Sequence, residues 1–140
     1  MVLIGIKVGV YELTKRAHGE ATNAASINNL YMLGLAITMY GDDFNGKFPD
    51  LTDIQSLSNA VEKYVAGTKC FTHPETGQPY QLNSALTHQK RPGTNSPSVV
   101  ILYEPEPAFN GTHGVLLADG PVDRVNESRW QELKKTSNIP

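Results

Sequence analysis

The hydrophobic pattern changes period along this chain. From about residue 21 to residue 40, Ile27, Leu30, Leu33, Gly34, Ile37 and Tyr40 or Gly41 recur at three and four residues, which predicts a helix with one apolar stripe. Asn28, Asn29 and Thr38 fall elsewhere on the wheel. Leu35, Ala36 and Met39 broaden the apolar surface, so the helix is expected to be largely covered. Gly41, Asp42-Asp43 and Asn45-Gly46 then stop it and turn the chain, and Phe48-Pro49 runs on as an extended piece. A shorter helix is predicted over about residues 53 to 64 from the spacing of Ile54, Leu57, Val61 and Tyr64 or Val65, with Thr52 or Asp53 as its cap.

Beyond residue 66 the helical period disappears. Pro74, Gly77 and Pro79 leave only turns and short extended pieces between residues 69 and 82. Val99 to Tyr103, bounded by Pro97 and Pro105, has the β-branched composition of a buried strand, and Gly114 to Ala118 is a second one. Asp119-Gly120 predicts a two-residue hairpin turn into a third strand, Val122 to Val125, with Pro121 at its first position. Ser128 and Gln131 form a capping-box pair ahead of a short terminal helix, which Trp130 and Leu133 would pin to the domain. The expected fold class is α+β: a long N-terminal helix packed on a small antiparallel sheet, with a C-terminal hairpin and a short terminal helix.

The first eleven residues, MVLIGIKVGVY, are apolar apart from Lys7 and too short for a bilayer span, which takes about 20 residues. They lack the charged start and small-residue cleavage site of a secretory signal peptide. Two assignments are open. Ile4, Ile6, Val8 and Val10 alternate as in a half-buried strand, and the same residues suit the remainder of a longer hydrophobic helix. Gly5 and Gly9 weaken either.

Composition narrows the classes further. The 140 residues fit one compact domain, and 39% hydrophobic with 19% charged residues is neither a disordered nor a polytopic membrane composition. The 12 Gly and 9 Pro agree with a loop-rich second half. A net charge of −2 without a concentrated basic face argues against a nucleic-acid partner. Cys70 is the single cysteine, so no intramolecular disulfide is possible.

Asn29-Leu30, Leu33-Gly34-Leu35-Ala36, Met39-Tyr40, Asp43, Asn45-Gly46 and Phe48-Pro49 together resemble the stretch that follows the membrane helix in pilin-like and type II secretion pseudopilin-like proteins, particularly the prepilin-type family of planctomycetes and verrucomicrobia. Tyr80 to Asn83, the VVILYE strand, and Gly114-Val115-Leu116-Leu117-Ala118-Asp119-Gly120 with Val122 are similar to the closing signature of that family. The likeness runs from about residue 21 to residue 133. Three departures stand beside it: Gly5 and Lys7 interrupt the apolar run where members carry a long membrane helix, Ser26 stands where many carry a first cysteine, leaving Cys70 without its candidate partner, and Pro121 replaces a common His after the Ala-Asp-Gly turn.

The resemblance implies a structural subunit of a type IV pilus-like or type II secretion pseudopilus filament in the bacterial envelope, periplasmic or at the cell surface. Residues 1–20 would be the remnant of a hydrophobic assembly helix, missing its start or diverged, or an N-terminal arm, and residues 21–140 a globular pilin-like head. Val2, Leu3, Ile4, Ile6, Val8 and Val10 would carry self-assembly, and Gly34 would let the sheet approach the helix. The partners would be copies of the chain or other pilin-like subunits, with the inner membrane before assembly. It implies no enzyme and no cofactor, while calcium does occur in some pseudopilin heads.

The alternative is a soluble periplasmic or extracellular binding module with the same head, using Tyr80, Tyr103 and Phe109 on a glycan or protein. A small metal-dependent hydrolase is the third class. Cys70 and His73 are three apart, but His88 and His113 complete no compact zinc spacing. His113, Asp119 and Asp123 are the calcium candidates, although turn geometry already accounts for Asp119. Asp42-Asp43 reads as a solvated turn, and no serine lies in a GxSxG context.

Overall fold

A computed structural model describes residues 2–93 and 95–140, with side chains from residue 9 onward. The first element, α1, is a single helix over Val2–Asp43, 42 residues long. The helix predicted from residue 21 therefore extends to the apolar start, and the strand assignment for that start is overturned. Nucleating a helix is costly, whereas propagation adds one hydrogen bond per residue. Once the later turns are held by the head, the preceding residues extend them despite Gly5 and Gly9. Thr14 Oγ1 donates to the Val10 carbonyl at 2.8 Å, and Arg16 pairs with Glu20 one turn on, so the exposed turns are locally supported.

After the Asn45-Gly46 turn comes α2, Ile54–Val61, which continues into a 3-10 turn at Glu62–Tyr64. Asp53 caps it by accepting from the Ser56 amide at 2.8 Å. Four strands follow, β1 (Gln81–Leu82), β2 (Val100–Tyr103), β3 (His113–Leu117) and β4 (Val122–Val125), paired antiparallel in the order β1-β2-β3-β4. Helix α3, Glu127–Ser137, closes the chain.

The sheet is covered on both faces. On one, Leu30, Leu33 and Ile37 of α1 meet Leu102 and Leu116, with Leu57 of α2 in the same core. On the other, Trp130 and Leu133 of α3 cover Val100, Val115 and Val125. Burial on both faces explains why β3 reads as a nearly continuous apolar run: Val115 turns to α3 and Leu116 to α1. In β2 the register shifts between Val100 and Leu102, so Ile101 and Leu102 both enter the α1 core. Where α1 crosses β3, Gly34 is in close contact. A Cβ there would stand 2.9 Å from Leu116 Cδ1.

Two local expectations need correction. The hairpin turn holds three residues, Ala118 to Gly120, with Leu117 N–H donating to the Pro121 carbonyl at 2.8 Å and Gly120 at φ 116°. A two-residue turn would require Pro121 to donate an N–H it lacks, and the Ala118 amide is instead committed to the Val99 carbonyl at 2.7 Å. The cap of α3 is Asn126, whose side chain accepts from the Arg129 amide at 2.9 Å. Ser128 lies within the helix, and the Gln131 side chain bonds Glu127.

Candidate functional site

The side chains of Val2, Leu3, Ile4, Ile6 and Val8 lie outside the described residues; Val10 is described and exposed. From Val10 to His18 every α1 residue is exposed, and contact with the head begins at His18, which pairs with Glu75, and at Gly19, which carries the Phe109 ring. The helix therefore projects beyond the head at its N-terminal end. Among the described residues, no helix is long and apolar enough to cross a membrane.

Besides the apolar core, a buried polar hub ties this helix to the sheet. Glu104, the residue immediately after β2, is buried to 2% exposure, and its carboxylate is bonded from three elements of the fold. Arg124 of β4 binds it through both terminal nitrogens, at 2.8 and 2.9 Å, in the fork geometry that suits a carboxylate. The Gly114 amide of β3 donates to Oε1 at 2.6 Å, and Ser26 of α1 donates its hydroxyl to Oε2 at 2.5 Å. Tyr80 then donates to Ser26 Oγ at 2.9 Å, because the Ser26 proton is already committed. His73 Nε2 stands 3.4 Å from the same carboxylate.

Each neighbour fits this arrangement. A Cβ on Gly114 would lie 2.8 Å from the Glu104 carboxyl carbon, so the bare residue is a condition of the hub. Asn29 donates to the Thr72 carbonyl at 3.3 Å and to Tyr80 OH at 3.5 Å, tying α1 to the same turn. Burial pushes the Glu104 pKa up, but the Arg124 guanidinium, the Ser26 hydroxyl and the Gly114 amide outweigh it and hold the group below the usual carboxylate range. Burial pushes the Tyr80 phenol up. The Glu104 carboxylate is therefore a charged, multiply bonded anchor. Ser26 and Tyr80 are too deeply enclosed to meet a substrate.

The other candidates are dispersed. Tyr80 is 1% exposed and Tyr103 is half-buried against Trp130, so of the three aromatics expected on a binding surface only Phe109, 51% exposed, is available. Its ring lies on Gly19 at the rim of a cleft of about 150 Å³ between α1, the His73–Thr76 turn and residues 105–108. Cys70 is buried and free, and burial pushes its thiol up, which disfavours the reactive thiolate. His73 turns to Glu104.

His113 is stacked on Trp130 and bonded to Glu127 at 2.6 Å, while Asp119 is exposed in the hairpin turn and Asp123 accepts from the Arg124 amide. Among the described residues no group of three or more His, Cys, Asp or Glu is placed to hold a metal ion. Asp43 accepts from the Tyr64 hydroxyl beside Lys63 and so locks the end of α1 to the turn after α2. Glu104 and Arg124 were not singled out as sequence candidates. The only signal was a charged residue directly after a buried β-branched run and an arginine in a short strand facing a helix.

The architecture defines a class: an α+β domain whose leading helix is both a core element and a projecting arm. No protein-family model, curated protein or solved structure matches the chain.

Proposed function

We propose that this chain is a structural subunit of a type IV pilus-like or type II secretion pseudopilus filament, assembling through its N-terminal hydrophobic segment. The observation that carries the reading is the continuity of α1: one helix serves the head with its later turns and leaves its earlier turns exposed from Val10 to His18. Assembly by such an arm needs no catalytic group, only a helix held at a defined angle to the head, and the apolar core and the Glu104 hub together supply that constraint. The order of motifs from Asn29 to Val122 supports the same reading through its likeness to pilin-like proteins.

The test is electron microscopy of filaments sheared from cells that express the chain together with a type IV pilus apparatus. Filaments containing the chain, with residues 1–20 in the central helical core, are expected. Ile6→Glu should abolish incorporation without changing the thermal unfolding of the head. A chain that remains a soluble monomer, or filaments indifferent to Ile6→Glu, would overturn the reading.

A further inference from the structure

The chain contains Phe-Asn-Gly twice, at residues 44–46 and 109–111. An asparagine followed by glycine is the pair most open to cyclisation, because glycine has no Cβ to shield its nitrogen from the neighbouring carboxamide. Within the tripeptide the two copies are identical, and both asparagines are exposed. What separates them is how the fold holds the following glycine.

The first copy closes the long helix. Asn45 and Gly46 both stand at positive φ, 60° and 75°. The Gly46 amide donates to the Gly41 carbonyl at 2.7 Å, and the Gly46 carbonyl accepts from the Arg91 amide at 2.9 Å. Phe48, two residues on, is buried, and its amide donates to the Gln89 carbonyl at 2.9 Å. Bringing the Gly46 nitrogen onto the Asn45 carboxamide would break the helix end and the pairing with residues 89–91 together. The second copy is a loop tip between β2 and β3. Phe109, Asn110 and Gly111 are all exposed, and the tip is closed by the Gly111 amide on the Ala108 carbonyl at 2.9 Å and the Ala108 amide on the Thr112 carbonyl at 2.8 Å. Such tips open at small cost. The Asn110 carboxamide is also polarised: the Thr112 hydroxyl donates to its Oδ1 at 2.6 Å and the Thr112 amide at 3.3 Å.

We infer that Asn110 is a site of spontaneous deamidation in the native chain, and that Asn45 is protected. Hydroxide takes the Gly111 amide proton, the nitrogen attacks Asn110 Cγ, and the Thr112 donors stabilise the charge that develops on Oδ1. Collapse of that intermediate breaks the Cγ–Nδ2 bond. Ammonia leaves with a proton from water, which restores the hydroxide. Water then opens the succinimide, giving an aspartyl residue by cleavage at Cγ or an isoaspartyl residue by cleavage at the backbone carbonyl. The sum is one water consumed and one ammonia released, with no change of oxidation state. Either product adds a negative charge to the loop that seats Phe109 on Gly19 of α1. The inference concerns the head and does not rest on the filament reading.

The test is peptide mapping by mass spectrometry of the purified full chain aged in warm, mildly alkaline buffer, with isoaspartate located by fragmentation. In the native chain Asn110 should deamidate at least about tenfold faster than Asn45, as expected where one glycine is freed by a local opening and the other only with more of the fold. In concentrated guanidinium the two should react at similar rates, because their tripeptide is shared. Thr112→Val should slow Asn110 by at least about threefold, and Thr112→Ser should keep the native rate. Damage to the fold would speed the reaction, so a slower Thr112→Val reports the hydroxyl itself. Asn110 reacting no faster than Asn45 in the native chain, a preference for Asn110 that survives denaturation, or a Thr112→Val rate unchanged or raised would each overturn the inference.

Discussion

Arg124 grips Glu104 through both ends of its guanidinium, at 2.8 and 2.9 Å, beneath the helix that carries Ser26. The pair joins β4 to the end of β2, and Ser26 adds α1 to the same carboxylate. A charge so placed is costly to leave alone.

Removing one partner should therefore cost more than removing both. Arg124→Met is expected to destabilise the fold by about 3–5 kcal/mol because it strands the buried carboxylate. Arg124→Met with Glu104→Gln should cost clearly less than the two single changes added together. Urea unfolding of the four proteins forms the double-mutant cycle that checks this.

The same carboxylate predicts an acid dependence. Its folded pKa is lowered, so its contribution is fully present above the unfolded value of about 4.3 and is lost as pH falls through the still lower folded value. The stability of the native chain should fall on acidification through that window. Glu104→Gln should remove this component and flatten the profile, which chemical unfolding at a series of pH values would measure.

Two glycines in close contact should respond differently to alanine. At Gly34 the obstacle is a terminal methyl of Leu116, and the better helix propensity of alanine, about 1 kcal/mol, offsets the crowding, so Gly34→Ala should lie within about 1 kcal/mol of the native chain. At Gly114 the obstacle is the Glu104 carboxyl, fixed by Arg124, Ser26 and the strand amide. Gly114→Ala should cost about 1–3 kcal/mol in thermal or denaturant unfolding.

The cap of α3 offers a local contrast. Asn126→Ala should destabilise by about 1 kcal/mol, and Ser128→Ala should change stability by less than about 0.5 kcal/mol. Equality of the two in thermal unfolding would place the helix start elsewhere.

Cys70 should be unreactive in the folded chain. Its buried thiol, pushed up by desolvation, is expected to react with a disulfide reagent only at the rate of unfolding and to become fully reactive in denaturant. Rapid modification under native conditions would contradict that burial.

The amphipathic spacing of Leu30, Leu33 and Ile37, the β-branched run before Tyr103 and the Asp53 cap were legible in the chain because each follows from neighbours within a few residues. The close approach at Gly34 was expected only through the resemblance, and its partner, Leu116, was not marked at all. The hairpin was placed correctly but its length was not, since that depended on where the Ala118 amide bonds across to Val99. Tyr80 read as an exposed aromatic because nothing nearby in sequence marks it as the donor to Ser26, 54 residues away.

Periodicity and turn chemistry, acting over a turn of helix or a hairpin, were enough to establish an α+β domain with a long leading helix, a small antiparallel sheet and a short closing helix. Whether the apolar start would be strand or helix was decided by the fold. Helix propagates cheaply from turns already held by the head, and among the described residues that start is helical from Val2 onward. The Glu104 hub was likewise a product of packing. Desolvation and the convergence of Ser26, Gly114 and Arg124 exist only once α1, β3 and β4 are together, because these interactions act through space between residues distant in the chain.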